Sequence, residues 1–103
     1  MPTPRRVIVV SLWIHPGQED AFEAFERDAA RVMARHGGRI DQAVRIAQGG
    51  EGDAPFEVHC VSFPDQATAD AYASDPEMPA LRARRSAIIS RTERLTGRMA
   101  GPY

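Results

Sequence analysis

Two spacings of hydrophobic residues alternate along the chain, and each is typical of one kind of secondary structure. Residues 7–14 are rich in β-branched side chains and stop before a Pro-Gly pair, which predicts a buried β-strand. Residues 18–36 carry apolar side chains at three- and four-residue steps, which predicts an amphipathic helix that Gly37 and Gly38 can close. Four charged residues of this helix are expected to face away from the core: Glu23, Glu26, Arg27 and Arg31.

The second half of the chain repeats the same kinds of element. Asp75 and Pro76 predict a helix start, because Asp is a favoured N-cap and Pro fits the first helical position. Residues 49–53 are rich in glycine and predict a flexible connection. The other predicted elements are strands around residues 40–46, 56–61 and 88–95 and helices at 65–73 and 76–85.

The β-α-β-β-α-β order predicts an α+β, ferredoxin-like fold with one antiparallel four-stranded sheet. With 103 residues, the chain is expected to form a single domain, residues 1–103. Both helices should cover one face of the sheet, which would leave the other face bare in a monomer. Because a small domain needs to cover such a face, we expect a homodimer that packs sheet against sheet.

The amino-acid composition excludes several kinds of chemistry but says less about the fold. All 13 basic residues are Arg, and without Lys the chain cannot form Schiff bases or anchor pyridoxal phosphate. The single cysteine, Cys60, excludes an internal disulfide framework and a four-cysteine zinc site. No stretch approaches the roughly 18 apolar residues of a membrane span, and no signal peptide is recognised. We therefore expect a cytoplasmic protein without a membrane partner.

Three stretches of the sequence carry a resemblance to a known family: His15-Pro16-Gly17-Gln18-Glu19, Arg35-His36-Gly37-Gly38-Arg39, and Phe63-Pro64-Asp65 through Tyr72 with Ser74-Asp75-Pro76-Glu77 and Leu81. They resemble the dimeric α/β-barrel superfamily, which includes the antibiotic-biosynthesis monooxygenases and small relatives of unknown function. The resemblance covers nearly the whole chain and implies a ferredoxin-like fold that pairs into a dimeric α/β barrel. The second stretch is similar to the relatives of unknown function in particular.

The catalytic residues of those monooxygenases do not carry over to this chain. The resemblance implies an Asn, a Trp and an Arg for cofactor-independent oxidation, but the sequence contains no Asn. Its only Trp is Trp13 on the first predicted strand, and the second helix offers Ala69, Ala71 and Tyr72 where those enzymes often place a Trp. The resemblance therefore supports the fold and the dimer more strongly than it supports oxygenase chemistry.

His59 and Glu57 are the leading catalytic candidates. They lie two residues apart on one predicted strand, so both side chains emerge on the same face of the sheet. If Phe56, Val58 and Cys60 pack under the helices, the pair points toward the barrel interior. There Glu57 would orient His59 for proton transfer.

Other charged residues on the strands fit the same hypothesis. Arg91 would stabilise developing negative charge, and it shares a face of the last strand with Glu93, as Asp41 and Arg45 do on the second strand. The alternative for all of these residues is a hydrogen-bonded network that holds two sheets together, since buried charges are usually paired.

Trp13 and Tyr72 are the aromatic candidates for a substrate pocket, with His15 at its entrance. The alternative is that both aromatics belong to the core and that His15 is a solvated turn residue. His15, His36 and His59 lack the spacing of zinc ligands, so we expect no metal, and no cofactor is indicated. The third strand lacks the stacking aromatics of RNA-recognition modules, so we expect no nucleic-acid partner.

Two functions follow from these residues, and the sequence leaves both open. The first is a small enzyme that acts on a hydrophobic organic metabolite without a bound cofactor, by oxygenase, isomerase or cyclase-type chemistry. The second is a non-catalytic small-molecule-binding or structural dimer. A ligand-sized cavity that touches His59 or Trp13 would favour the first function. Sheet faces closed by paired charges would favour the second.

Overall fold

Four strands and three helices make up the described part of the chain, which comprises residues 4–47 and 52–103 of a computed structural model. The elements are β1 (Arg6–Ile14), α1 (Glu19–Ala34), β2 (Arg39–Arg45), β3 (Glu57–Phe63), α2 (Gln66–Ala73), α3 (Met78–Ile88) and β4 (Ile89–Gly97). None of these helices is long and apolar enough to cross a membrane. The glycine-rich connection predicted at residues 49–53 lies outside the described residues except for Gly52 and Asp53.

The strands form one antiparallel sheet in the order β2-β3-β1-β4. This order and direction are those of a ferredoxin-like α+β fold, so the predicted fold class is confirmed. The second predicted helical region is divided into α2 and α3, as the Asp-Pro break in the sequence indicates.

The strand register decides which side chains lie under the helices. Val10 of β1 pairs with His59 on one side and with Arg94 on the other, so these three residues share the helix-covered face. Val9, the preceding residue, pairs with Leu95 and points to the opposite face. The helices cover only one face, and the other, which we call the open face, carries no helix in the described part of the chain.

In the structure, the two faces of β3 lie opposite to the assignment proposed from the sequence. Glu57 and His59 are buried beneath the helices, whereas Val58 and Cys60 lie on the open face. The reason is the register, because Glu57 pairs with Leu12, which is a buried residue of the core. Alternation along one strand separates two faces but does not say which face the sheet turns inward.

The core forms where α1 packs on the helix-covered face, and its apolar stripe is buried as predicted. Phe22 meets Phe56 edge to face, with ring centres 5.4 Å apart. Burial of each large apolar side chain contributes roughly 1.5–3 kcal/mol, so this cluster fixes α1 against the sheet. Its buried members are Leu12, Phe22, Phe25, Ala29, Val32, Met78, Leu81, Ile88 and Ile89.

The junction between α1 and β2 depends on two glycines. Gly37 has a φ of 73°, a left-handed conformation that favours glycine, and it ends α1 as predicted. Gly38 lies so close to the core that an added Cβ would clash with the side chains of Met33 and Phe63. Between α1 and β2, the backbone at Gly38 therefore packs directly against these two side chains.

The start of α3 differs from the prediction. Asp75 is not the N-cap of this helix, because α3 begins at Met78 and Pro76 lies in the preceding turn. The Asp75 carboxylate instead accepts a hydrogen bond of 2.9 Å from the backbone N–H of Glu77. The Asp-Pro pair therefore marks the turn before the helix rather than its first residue.

A β-bulge in β2 separates Asp41 from Arg45. The register with β3 shifts at this point, and the extra residue interrupts the two-residue period. Asp41 accepts a hydrogen bond of 2.6 Å from Ser62 on the open face, whereas Arg45 donates to Glu57 on the helix-covered face. The prediction that Asp41 and Arg45 share a face is therefore wrong.

Candidate functional site

A pocket of about 550 Å³ lies between the helix-covered face of the sheet and the three helices. Small-molecule sites occupy roughly 300–1,000 Å³, so this pocket is large enough for an organic metabolite. Much of its wall is apolar, with contributions from Ile8, Val61, Phe63, Met33, Met78 and Leu81. Its polar groups include Glu26, His59, Tyr72, Arg85 and Arg94.

His59 lies in the floor of the pocket and is held by charged neighbours on the sheet. Its Nε2 is hydrogen-bonded to one oxygen of Glu57, and the other oxygen accepts a bond of 2.9 Å from Nε of Arg45. Because a carboxylate only accepts, we assign the proton of the neutral His59 ring to Nε2. The lone pair of Nδ1 is then free on the side of the ring that faces Glu26.

Glu26 of α1 lies with its Oε2 atom 3.9 Å from Nδ1 of His59. Burial raises the pKa of the Glu26 carboxyl above its ordinary value of 4.5, although a positive charge on His59 acts in the opposite direction. A carboxyl whose pKa is raised in this way is a stronger base in its ionised form and holds a proton more tightly than an exposed carboxyl does. Glu26 and His59 thus form an acid–base pair on the wall of the pocket.

Tyr72 and two arginines add further polar groups to the lining. Burial raises the pKa of the Tyr72 hydroxyl, which keeps it neutral and able to donate a hydrogen bond. Arg85 is half-buried and donates a hydrogen bond of 2.6 Å to the Thr92 hydroxyl. Arg94 extends from the same face of the sheet as His59. The pocket therefore combines an apolar interior with an acid–base pair and cationic groups.

The structure brings together only some of the residues that the sequence indicates. His59 and Tyr72 line the pocket, and Glu57 lies beside His59 as its hydrogen-bond partner. Trp13 and Arg91 do not line it, because both lie on the open face of the sheet. Arg91 therefore cannot stabilise charge on a molecule that is held at His59 in this pocket, and that expectation is corrected.

His15 also lies outside the pocket. Its side chain is exposed in the turn after β1, and its backbone N–H donates a hydrogen bond of 2.9 Å to the carbonyl of Ile88. This placement agrees with the solvated turn residue considered as the alternative. His15 does not form the entrance to the pocket beside His59.

Three pocket-lining residues are not predicted from the sequence: Glu26, Arg85 and Arg94. The expectation that Glu26 faces away from the core is wrong, because it is partly buried in the pocket. Its spacing carries a signal, since it lies four residues after Phe22 and three before Ala29, both of which are buried. Arg85 carries the same signal, since it lies four residues after Leu81 and three before Ile88, both of which are buried, whereas Arg94 on β4 carries none.

Among residues 4–47 and 52–103, no three His, Cys, Asp or Glu side chains come together as metal ligands. His36 is engaged elsewhere, since its Nε2 lies 2.7 Å from a carboxylate oxygen of Asp75. This contact ties the end of α1 to the turn before α3.

Solved structures with the same fold match nearly the whole chain. A protein of unknown function from Rhodopseudomonas palustris matches with a TM-score of 0.79 and 16% identity, over 96% of this chain and 85% of that one. A dabb family protein with a ferredoxin-like fold from Mesorhizobium loti matches with a TM-score of 0.70 and 18% identity, over 96% of this chain and 100% of that one. A protein from Nitrosomonas europaea, named provisionally as an antibiotic biosynthesis monooxygenase, matches with a TM-score of 0.74 and 15% identity, over 99% and 96%.

At such identities these similarities show a shared fold alone. A protein described as having a ferredoxin-like fold is among the matching structures, so these similarities confirm the fold that the resemblance implies. No curated protein shows significant sequence similarity to the chain. Residues 8–96 match the family described as a domain of unknown function, DUF1330, and the chain therefore belongs to the DUF1330 family.

Proposed function

We propose that the chain is an acid–base enzyme that moves a proton within a mainly apolar organic metabolite bound in the pocket. The observation that carries the proposal is the pair Glu26 and His59, whose Oε2 and Nδ1 atoms are 3.9 Å apart on the pocket wall. A ligand-sized cavity that touches His59 is also the feature that favours an enzyme over a purely structural dimer.

The proposed step is proton abstraction from a carbon next to a carbonyl group. Glu26 takes the proton, the electron pair of the broken C–H bond moves toward the carbonyl oxygen, and an enolate forms. Tyr72 donates a hydrogen bond to the enolate oxygen, and Nδ1 of His59 accepts a hydrogen bond from the Glu26 carboxyl once that carboxyl has taken the proton. In a substrate with a carbon–carbon double bond next to that carbon, the enolate extends over the double bond, and return of the proton to the far carbon of that bond isomerises the substrate. No net oxidation occurs, so the step needs no oxidant or redox cofactor.

Deuterium exchange into enolisable compounds tests this proposal. Apolar ketones are incubated with the protein in D2O, and mass spectrometry measures deuterium at the carbon beside the carbonyl. We expect the wild type to accelerate exchange and Glu26→Gln to lower the rate about 100-fold or more, since general base catalysis contributes at least that much. Glu19→Gln, at an exposed position in the first turn of α1, should keep the wild-type rate.

Two results of the exchange experiment would contradict the proposal. One is a wild-type rate no faster than that of buffer across the ketone panel. The other is an accelerated rate that Glu26→Gln leaves unchanged, because the proton would then be taken by another group.

Binding without catalysis is a second candidate, and the paired charges of the sheet favour it. Glu57 is satisfied by Arg45 and His59, while Arg91 on the open face pairs with Asp53 and Glu93. Groups engaged in this way need no further role. Calorimetric binding of the same ketones without any enzyme-dependent exchange would favour this candidate.

We also propose that two copies of the chain form a homodimer, sheet against sheet, as a dimeric α/β barrel. The support is the open face, where Val9, Val44 and Leu95 expose 37%, 54% and 71% of their surface. Exposure of such apolar side chains to water is unfavourable, and a second sheet that covers them stabilises the fold. Light scattering at micromolar concentration should give the mass of a dimer, and a monomer would contradict the barrel.

A further inference from the structure

The charge of the pocket is opposite to that of the whole chain. The chain has a net charge of −1, yet four arginines line the pocket, Arg6, Arg82, Arg85 and Arg94. Among the residues that the structure describes, only two carboxyl groups line it with them, Glu26 and Asp70. The pocket is therefore an electropositive site in a slightly acidic protein.

Arg85 and Arg94 concentrate this positive charge on the side of the pocket formed by α3 and β4. Arg85 donates to Thr92, which lies two residues before Arg94 on the same face of β4, so the two guanidinium groups are neighbours. Burial and repulsion by the charge of Arg94 lower the pKa of Arg85, while Glu26 acts in the opposite direction. Within residues 4–47 and 52–103, neither forms an ion pair with a carboxylate, and Arg85 donates only to the neutral hydroxyl of Thr92. An anion between the two groups would relieve this repulsion.

We propose that the pocket binds an amphipathic organic carboxylate, with its anionic group between Arg85 and Arg94 and its apolar body along the sheet. A carboxylate suits guanidinium groups because its two oxygens can accept parallel N–H bonds. Ile8, Val61 and Phe63 offer the apolar surface. The inference rests on the proposed function, since it names the substrate class of the same pocket.

The sheet register separates the anion site from the acid–base pair. Val10 lies between its partners Arg94 and His59, and neighbouring strands are about 4.8 Å apart, so the backbones of these two residues are roughly 10 Å apart. A substrate held by its carboxylate at Arg94 would therefore present a carbon several bonds away to Glu26. This spacing selects a carboxylate with an extended apolar body rather than a small acid.

Calorimetry with octanoate and octan-1-ol tests the inference, because the two probes share an apolar chain and differ in charge. Wild-type protein should bind octanoate at least about tenfold more tightly than octan-1-ol, as a charge-assisted contact of about 1.4 kcal/mol requires. Arg94→Gln should lower the octanoate affinity about tenfold and leave the octan-1-ol affinity unchanged. Arg27→Gln, exposed on α1, is the matched control and should bind both probes as the wild type does.

Each contrary result overturns the carboxylate site. These results are no saturable binding of octanoate, equal affinity for octanoate and octan-1-ol, or wild-type octanoate affinity in Arg94→Gln. Arg94 is exposed, so its replacement leaves the folded chain available for measurement, and Arg85→Gln serves as a second variant.

Glu26→Gln distinguishes this inference from the proposed proton transfer. If only the acid–base proposal fails, octanoate binds to the wild type and to Glu26→Gln, while no ketone exchanges deuterium. If only the carboxylate site fails, ketones exchange deuterium in a Glu26-dependent manner, while octanoate binds no better than octan-1-ol.

Discussion

The guanidinium carbon of Arg91 lies 4.0 Å from the centre of the Trp13 ring, and the two side chains stack on the open face of the sheet. Asp53 contacts both of them. Its backbone oxygen accepts a hydrogen bond of 3.3 Å from the Trp13 indole, and its carboxylate accepts one of 3.3 Å from Arg91. Val9 and Leu95 pair farther along the same face. The open face thus has an aromatic end and an aliphatic centre, which suits burial against a second sheet.

Leu95→Asp should separate the proposed dimer. Leu95 exposes 71% of its surface, so the substitution has little effect on the fold of a single chain. Between two sheets the new carboxylate would be buried without a partner, which costs several kcal/mol. Light scattering at micromolar concentration should therefore show a dimeric wild type and a monomeric variant.

Ala24→Asp is the matched control for this experiment, because Ala24 is exposed on α1 rather than on the sheet. This variant should remain dimeric. A dimeric Leu95→Asp protein would count against the sheet-to-sheet arrangement, since the copies would then have to meet through another surface.

The alternation of strand residues predicts the sheet correctly but not the placement of its arginines. Arg91 and Arg94 are three residues apart on β4 and so point to opposite faces. Only the pairing of Val10 with both Arg94 and His59 shows which arginine belongs to the pocket. Because that pairing depends on β1 and β3, the sequence of β4 alone cannot make the distinction.

The pair Glu26 and His59 is also only partly predictable, because local sequence places one residue and tertiary packing places the other. Glu57 and His59 can be recognised together because a two-residue spacing on one strand places them on one face. Glu26 comes from α1 and reaches His59 only through the packing of that helix on the sheet. Its position on the buried stripe is visible in the sequence, but charged residues are rarely buried and are therefore expected outside.

Glu26→Gln should stabilise the protein at neutral pH although it removes the proposed activity. Burial raises the pKa of Glu26, so the folded state binds this proton more tightly than the unfolded state. The stability that this bound proton gives the folded state is fully present below the pKa of Glu26 in the unfolded chain. It is lost as the pH rises through the pKa of Glu26 in the folded chain. Gln carries no charge to bury, so the variant should be more stable than the wild type at neutral pH and above, and about equally stable in acid.

Urea unfolding over a range of pH measures this difference, with Glu19→Gln as the control that should follow the wild-type pH dependence. A Glu26→Gln protein that is less stable than the wild type at every pH would show that the carboxylate stabilises the fold. That outcome would remove the reason for assigning Glu26 a function.

Asp75→Asn should lower the thermal midpoint by several degrees at neutral pH, and the difference should disappear in acid. The backbone N–H of Glu77 and the ring of His36 hold the pKa of Asp75 below its ordinary value of 3.8. Because this pKa is lowered by folding, ionised Asp75 stabilises the folded state at pH values above its pKa in the unfolded chain. That stabilisation is lost as the pH falls through the pKa of Asp75 in the folded chain. Exposed Asp20→Asn is the control, and a pH-independent effect of Asp75→Asn would contradict this account.

Gly38→Ala should destabilise the fold by about 2 kcal/mol, the usual scale of overpacking. A Cβ at this position would approach Phe63 Cε1 to 2.5 Å and would also clash with Met33, so the core has to shift to admit it. Gly97→Ala is the matched control, because nothing lies within 4 Å of a Cβ there, and its effect should stay within about 0.5 kcal/mol. Urea unfolding compares the two variants directly. Equal stability of the two variants would contradict this account. It would mean that the junction between α1 and β2 can shift without disturbing the core beside the pocket.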